Sequence, residues 1–359
     1  MGQRCGAVEI MGVKKMLRQI KGQFEKYTFG AAVKNILYHF ITRERRKSFG
    51  GKNPNETIYI IRSINDKSPF YIGPVHNLLA NYFYVLSHIQ YAKTKGWIPV
   101  VDQLHYPVYN SQKEPINGTT NAWEYFWQQP GGISLEEAYQ SKNVVLSKQS
   151  WFWQWDMGYN PHGYQDEQCL AFYRNLSHST TLNAQTQVYV DLVRRRVLPA
   201  KKKILGVNVR LGAHALQSER HGAGHPIQPE IDDLISKAKK WFAAWEMDFV
   251  LVTSDAQVVV DRFREAFGEK LLVFCRLRAE VGKEYGLDKN KEMYQKANLY
   301  QTSLDYLAEM ELLASCDGLI GAVTSGMRYA LVRSTIKSDM VRVIDCGLFQ
   351  DPRKGERNS

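Results

Sequence analysis

The chain contains no run of 18 or more apolar residues, so no transmembrane helix is expected. Its start shows no apolar h-region followed by a small-residue cleavage site, so no secretory signal is expected either. Cysteine is sparse: Cys5, Cys169, Cys275, Cys316 and Cys346 are scattered and odd in number, and none forms a CxxC pair. That excludes a disulfide framework and a thiolate zinc site, and it points to a reducing, cytoplasmic compartment. Internal repeats and low-complexity segments are absent. No DxD-like acidic pair stands at a strand end to hold Mg²⁺. Net positive charge is also small over most of the chain. The net charge is +11, but residues 1–50 hold 11 Lys/Arg against 3 Asp/Glu. The body is therefore close to neutral, and a nucleic-acid-binding surface is not expected.

What is present is enough for two packed domains: 359 residues, 44% of them hydrophobic. Residues 1–50 read as a basic helical arm. Met16, Ile20, Phe24 and Tyr27, then Val33, Ile36, Leu37 and Phe40, recur at helical spacing, and Lys14, Lys15, Arg18, Lys21 and Arg43 to Lys47 supply a basic face. Such an arm either packs on the domain with solvated lysines or lies on an anionic membrane surface, with residues 11–47 making a peripheral contact on the inner membrane face.

Residues 51–198 read as a first Rossmann-like domain. Thr57 to Arg62 is a buried strand, Leu78 to Lys95 a long helix stopped by Gly96, and Ile98 to Val101 the next strand. Gly73 lies in the turn where strand meets helix, with Asn77 at the helix entrance, a place where backbone N–H groups approach an anion. The aromatics Trp123, Tyr125, Phe126 and Trp127 read as core, and Trp151, Trp153 and Trp155 as core with one or two rings lining a cleft. Gly163 to Val197 reads as one or two helices ending in the solvated run Arg194 to Arg196.

Residues 199–359 read as a second βα series. Strands are predicted at Ile204–Val209, Phe249–Val252, Leu271–Phe274, Gly318–Gly321 and Met340–Ile344, with helices at Ile227–Trp245, Ala256–Phe267, Gln301–Ala314 and Met327–Ser334. Arg276 to Leu299 is polar and reads as a surface excursion. The fold class is thus α/β, with two Rossmann-like parallel-sheet domains facing across a cleft, the GT-B plan, which also describes periplasmic binding proteins and some epimerases.

Polar groups recur at the predicted carboxyl ends of the second-half strands, which share one sheet edge. Arg210 follows the first strand, Thr253-Ser254-Asp255 the second, and Thr324-Ser325-Gly326 stands before a helix. Two hydroxyls and free N–H groups at a helix start suit a phosphate, and the guanidinium fork of Arg210 suits the same oxygens. Together they would clamp a diphosphate without a metal. Glu309, on the preceding helix, is either an exposed helical carboxylate or an acceptor for a guanine edge. Between Arg210 and the next helix lie the acid/base candidates Glu219, His214 and His221.

The stretches IGPVHNLLANYFYVLSHIQYAKTKGWIPVVD, NAWEYFWQQP, GVNVRLG, GHPIQPE, VLVTSDAQ and YLAEMELLASCDGLIGAVTSG, in this order and spacing, resemble the fucosyltransferase superfamily that includes the rhizobial nodulation α-1,6-fucosyltransferase, the core α-1,6-fucosyltransferases and the protein O-fucosyltransferases. The likeness runs from about Thr57 to Cys346. It implies a GT-B fold, a GDP-fucose donor, no metal and inversion at the anomeric carbon. On the matching motifs, Arg210 holds the β-phosphate and Thr324 and Ser325, beside Gly326, hold the same diphosphate. Glu309 reads guanine, Asp255 ends a T-[DE]-D loop, His225 belongs to H-P-I, and Gly73 and Asn77 form the first-domain donor turn.

Two departures stand out. The family histidine before the arginine is Asn208, and R-x-T-D is replaced by Arg210-Leu211-Gly212-Ala213, so an Asp is missing. Glu219 is the one carboxylate left between Arg210 and His225 and becomes the candidate base, with His214 and His221 as rivals. The expected activity is transfer of a sugar from a GDP-sugar to a hydroxyl of a surface-polysaccharide or other glycan acceptor, such as a lipid-linked intermediate, with no further cofactor. The alternative is a GDP-binding protein of the same fold that has lost catalysis.

Overall fold

The computed structural model describes residues 42–63, 77–108, 110–150, 166–211, 226–278 and 298–349. The predicted helix over Met11–Thr42 and the tryptophans of WFWQW therefore lie outside the described residues. So do Gly73, His214, Glu219, His221 and His225.

The chain enters a first sheet through β1 (Arg45–Lys47) and β2 (Ile58–Arg62). Helix α1 (Leu78–Thr94) and strand β3 (Ile98–Asp102) follow, then a short helix α2 (Leu135–Ala138) and β4 (Val144–Leu146). The strand order is β1-β4-β2-β3. β2 pairs in parallel with both β3 and β4, and only β1 runs antiparallel. The basic run Arg43–Lys47 was expected on a helix face. Its last three residues instead form this exposed edge strand, where side chains reach water on both faces and charge blunts the open edge. The other expected strands hold: Ile-Tyr-Ile-Ile-Arg is buried at every position, as a β-branched strand covered on both faces should be.

Two helices, α3 (Glu167–Ser177) and α4 (Ala184–Val197), connect to the second sheet. It is built from β5 (Ile204–Val209), α5 (Ile231–Ala244), β6 (Phe249–Ser254), α6 (Gln257–Phe267), β7 (Leu271–Leu272), α7 (Leu299–Ala314), β8 (Gly318–Ala322), α8 (Ser325–Arg333) and β9 (Val341–Ile344). The order β7-β6-β5-β8-β9 is parallel throughout. This is the α/β architecture expected from the alternating pattern, with two mostly parallel sheets.

One boundary moved for a plain reason. The helix predicted from Ile227 starts at Ile231. Pro229 keeps the residue before it out of the helical region, and Pro226 and Ile227 pair with the C-terminal segment instead, Ile227 N–H donating to Gly347 O at 2.9 Å.

The two sheets share one core. Trp123, Trp127 and Tyr82 of the first half pack with Tyr329 of α8. The Tyr82 and Tyr329 rings meet edge-on at 5.0 Å. Trp123, Tyr125, Phe126 and Trp127 are fully buried, so this aromatic block is core as expected. Helix α8 is gripped from the first half. Arg174 of α3 donates to Leu331 O and Ile336 O at 3.2 and 2.5 Å, and Ser177 Oγ donates to Val332 O at 3.0 Å. Leu331 O and Val332 O are orphans of the helix C-terminus, and satisfying them fixes the helix lengthwise, while the bond to Ile336 O ties down the segment that follows. Tyr329 hydroxyl and Arg333 Nε both donate to Glu311 Oε1, at 2.6 and 3.0 Å, tying α8 to α7 as well. Among the described residues no helix is long and apolar enough to cross a membrane.

Candidate active site

Helix α8 and the carboxyl ends of β5 and β6 open on one cavity of about 230 Å³. Parallel strands bring this about: Asn208 lies opposite Thr253 on one side and Gly321 on the other, so the residues that follow all emerge at the same edge. The cavity is lined by Asn208, Arg210, Asp255, Glu309, Thr324, Ser325 and Gly326, and by Asn77 from the first half. All eight described members of the sequence-derived site thus meet in one place. The N-termini of α1 and α8 approach it from opposite sheets. Asn77 caps α1, its Oδ1 accepting from Ala80 N–H at 2.8 Å. Thr324 caps α8, its Oγ1 accepting from Met327 N–H at 3.0 Å. A cap of this kind is worth about 1 kcal/mol to its helix, and it leaves the first-turn N–H groups aimed outward as an anion seat.

Asn208 stands where the resemblance places a histidine, and its surroundings give it a structural task. Its Nδ2 donates to Thr253 Oγ1 at 2.9 Å and its Oδ1 accepts from Thr324 Oγ1 at 2.8 Å. A buried amide thus bridges β6 to the cap of α8 and sets the depth of the helix entrance. Asp255 Oδ1 accepts from Leu211 N–H at 2.9 Å, which fixes the backbone just beyond Arg210. Gly326 is needed for space. A Cβ there would lie 2.8 Å from Met310 Sδ and 3.1 Å from the Tyr306 hydroxyl.

Two expectations are corrected. Glu309 is not an exposed helical carboxylate: it is fully buried. Its Oε2 accepts from Arg276 Nε at 2.7 Å and its Oε1 from Arg278 at 3.0 Å. Arg276 and Arg278, expected on a surface excursion, have side chains 7% and 4% exposed. Arg276 also donates to Ser254 O at 2.8 Å and lies over the Tyr306 ring at 5.6 Å, joining the cavity wall. Burial alone would weaken its charge, but the Glu309 carboxylate outweighs burial and holds the guanidinium above its ordinary value. At Arg278 burial prevails and the value falls.

Tyr306, Asn110 and Met310 also line the cavity. Burial pushes the Tyr306 hydroxyl up to about 12 against the pull of Arg210 and Arg276, so it remains a donor. Asn110 lies outside the matching stretches, and Tyr306 and Met310, though inside one, were assigned no role. The available signal was Arg276 following directly on a strand pattern, and Tyr306 one helical turn before Glu309, on the same face. Among the described residues no group of three or more His, Cys, Asp or Glu side chains stands ready to hold a metal ion.

The cavity thus sets two guanidinium groups and two helix N-termini around a space that also contains Asp255 and tyrosine and serine hydroxyls. It can hold an extended anion by several donors at once. Glu309 balances Arg276 from behind, and Asn208 holds the seat of α8 in place.

No protein-family model matches the chain, and no curated protein matches it. Among solved structures it is similar to the NodZ α-1,6-fucosyltransferase soaked with GDP-fucose, at 14% identity and a TM-score of 0.43, over 83% of this chain and 100% of that one. It is also similar to fucosyltransferase NodZ from Bradyrhizobium, at 16% identity and a TM-score of 0.41, over 77% and 92% of the two chains. A third similar structure is POFUT1 in complex with GDP, at 9% identity and a TM-score of 0.45, over 81% of this chain and 98% of that one.

Proposed function

We propose that the chain is an inverting, metal-independent glycosyltransferase of the GT-B plan, moving fucose from GDP-fucose to a hydroxyl of a surface-polysaccharide or other glycan. The observation that carries this is the meeting of Arg210 and the Thr324-Ser325-Gly326 helix entrance in one cavity between the two sheets. In this reading the diphosphate lies between the Arg210 guanidinium and the first N–H groups of α8. The acceptor hydroxyl attacks the anomeric carbon from the opposite side. The bond from that carbon to the phosphate oxygen breaks, and its electron pair leaves with the diphosphate. Donors already aimed at those oxygens stabilise the growing charge, each worth about 3–4 kcal/mol by analogy with oxyanion-hole donors. The acceptor proton goes to a base between Arg210 and Pro226, with Glu219 first and His214 and His221 as rivals. Such a base contributes on the order of 10²–10⁴-fold. His225, and Gly73 beside Asn77, complete the donor site. The protein works in the cytoplasm, and its basic segment 11–47 brings it to the inner membrane face, where a lipid-linked acceptor would be met.

A second reading rests on Asn208, which occupies the histidine position with both its amide atoms engaged by threonines. In that reading the chain binds GDP and transfers nothing. A thermal-shift panel of GDP, UDP, ADP and GDP-fucose, followed by transfer from labelled GDP-fucose to membrane glycolipids, decides between them. Stabilisation by GDP above UDP and ADP with label transfer is expected. Stabilisation without transfer leaves the second reading, and no selective stabilisation removes both.

A further inference from the structure

A second cavity, of about 670 Å³, opens at the carboxyl end of β3 and takes no part in the site above. Two of its lining residues, His105 and Tyr139, bond to Asp102, which is fully buried at the strand end. Asp102 Oδ1 accepts from Leu104 and His105 N–H at 3.0 and 2.9 Å. Its Oδ2 accepts from the Tyr139 hydroxyl at 2.5 Å and from His105 Nδ1 at 3.0 Å. Four hydrogen bonds thus converge on one carboxylate, and they fix both rings. His105 Nδ1 is held as the donor, so the Nε2 of the neutral ring is an acceptor. Half of the His105 side chain is exposed, and the residue lines the cavity.

The remaining lining is strongly biased. No Lys or Arg belongs to it, so it does not suit a phosphate or carboxylate. Three of its side-chain donors are turned onto protein acceptors. The Thr119 hydroxyl donates to Glu124, the Asn121 amide to Val101 O, and the Gln140 amide to Glu136. Each oxygen of Glu124 and Glu136 keeps a lone pair beyond these bonds. The surplus on the wall is therefore in acceptors, next to the apolar surfaces of Leu104, Leu135 and Tyr139. A ligand that fits brings many hydroxyl donors and has apolar C–H faces.

We propose that this cavity is a carbohydrate-binding subsite, in which His105, Glu124 and Glu136 accept hydrogen bonds from the hydroxyls of a neutral oligosaccharide. Its place on the molecule fits a remote part of the acceptor glycan. Asn110, five residues after His105, lines the first cavity, and a five-residue span is at most about 17 Å long. That assignment to the acceptor rests on the glycosyltransferase reading; the binding of sugar does not.

The test uses the full chain with isotope-labelled histidine, its His105 imidazole signals assigned by their loss in His105→Gln. Cellotetraose, maltotetraose and N-acetylchitotetraose are titrated in the absence of nucleotide, with spermidine as a cationic control. At least one tetrasaccharide is expected to shift the His105 signals. Glu136→Lys, at an exposed position that tolerates the change, should weaken that binding at least tenfold while GDP affinity stays the same. The proposal is overturned if no tetrasaccharide shifts His105, if Glu136→Lys binds as well as the parent, or if spermidine alone binds. Failure of GDP to bind would remove the donor-site reading and leave the sugar titration as a separate result.

Discussion

Replacing Glu309 by Gln should be among the most damaging single-atom changes available to this protein. The carboxylate is fully buried and takes bonds from two arginines whose side chains are themselves 7% and 4% exposed. Glutamine keeps the shape but removes the charge. Its carbonyl oxygen satisfies one guanidinium, while its amide N–H₂ is forced toward the other. Two positive groups are then buried together without a counter-charge. Removing one partner of a buried ion pair costs about 3–5 kcal/mol. At little more than about 1 °C per kcal/mol for a chain of this size, the melting temperature should fall by roughly 5 °C. Arg276 is also the link from Glu309 to the cavity, through Ser254 O and the Tyr306 ring. GDP affinity should therefore fall about tenfold, or about 1.4 kcal/mol. Differential scanning fluorimetry with and without GDP measures both. Adding Arg278→Met to Glu309→Gln removes one of the stranded charges and should recover part of the melting temperature but little of the affinity. A melting temperature within about 2 °C of the parent for Glu309→Gln would refute this account of the triad.

Other changes should act in distinct ways. Arg210→Lys should lower GDP affinity and transfer at least tenfold, because a point charge does not reproduce the guanidinium fork; equal turnover in a transfer assay would count against the clamp. Gly326→Ala should drive a methyl against Met310 and Tyr306 and weaken GDP binding by calorimetry, with a loss of about 1–3 kcal/mol in stability from overpacking. Asn208→Ala should cost about 1–3 kcal/mol by stranding the Thr253 and Thr324 hydroxyls, and should lower GDP affinity with it, whereas Asn208→His tests whether the bridge can be replaced. His88 gives a pH signature. Burial first, then the nearby Lys148 charge, holds it down at about 3, between the Tyr59 hydroxyl at 2.9 Å and Ser150 O at 3.1 Å. Between about pH 6.5 and 3 the unfolded chain binds a proton there that the folded chain does not. Its stabilising contribution is thus complete above pH 6.5 and declines as the pH falls, by up to about 1.4 kcal/mol per unit. His88→Gln should flatten that part of a urea-denaturation pH profile.

How far the sequence carried can be read at particular residues. Thr324-Ser325-Gly326 was legible because a hydroxyl cap before a helical pattern is a local signal, and Arg210 because it ends a β-branched run. Both depend on near neighbours in the chain. Asn208 looked like a loss, since a motif comparison notes only that histidine is missing. Its bridge joins Thr253 and Thr324, which lie 45 and 116 residues away and meet only when β5 is flanked by β6 and β8. Arg276 and Arg278 were misread for the same reason. A polar stretch with no periodicity reads as surface, and nothing local shows that Glu309, about 30 residues on, will be buried against it. The late start of α5 was available from Pro229 but was outweighed by the hydrophobic pattern running back to Ile227. Asp102 ends a matching stretch, but nothing local shows its partners, because Tyr139 reaches it from the end of a separate helix.

The central claim is that a nucleoside diphosphate sits between one arginine and the entrance of one helix. A crystal structure of the chain with GDP tests it most directly. The account predicts the β-phosphate within hydrogen-bonding distance of the Arg210 guanidinium on one side, and of the Ser325 hydroxyl and the first N–H groups of α8 on the other. A diphosphate bound elsewhere, or one touching Arg210 while α8 points away, would contradict it.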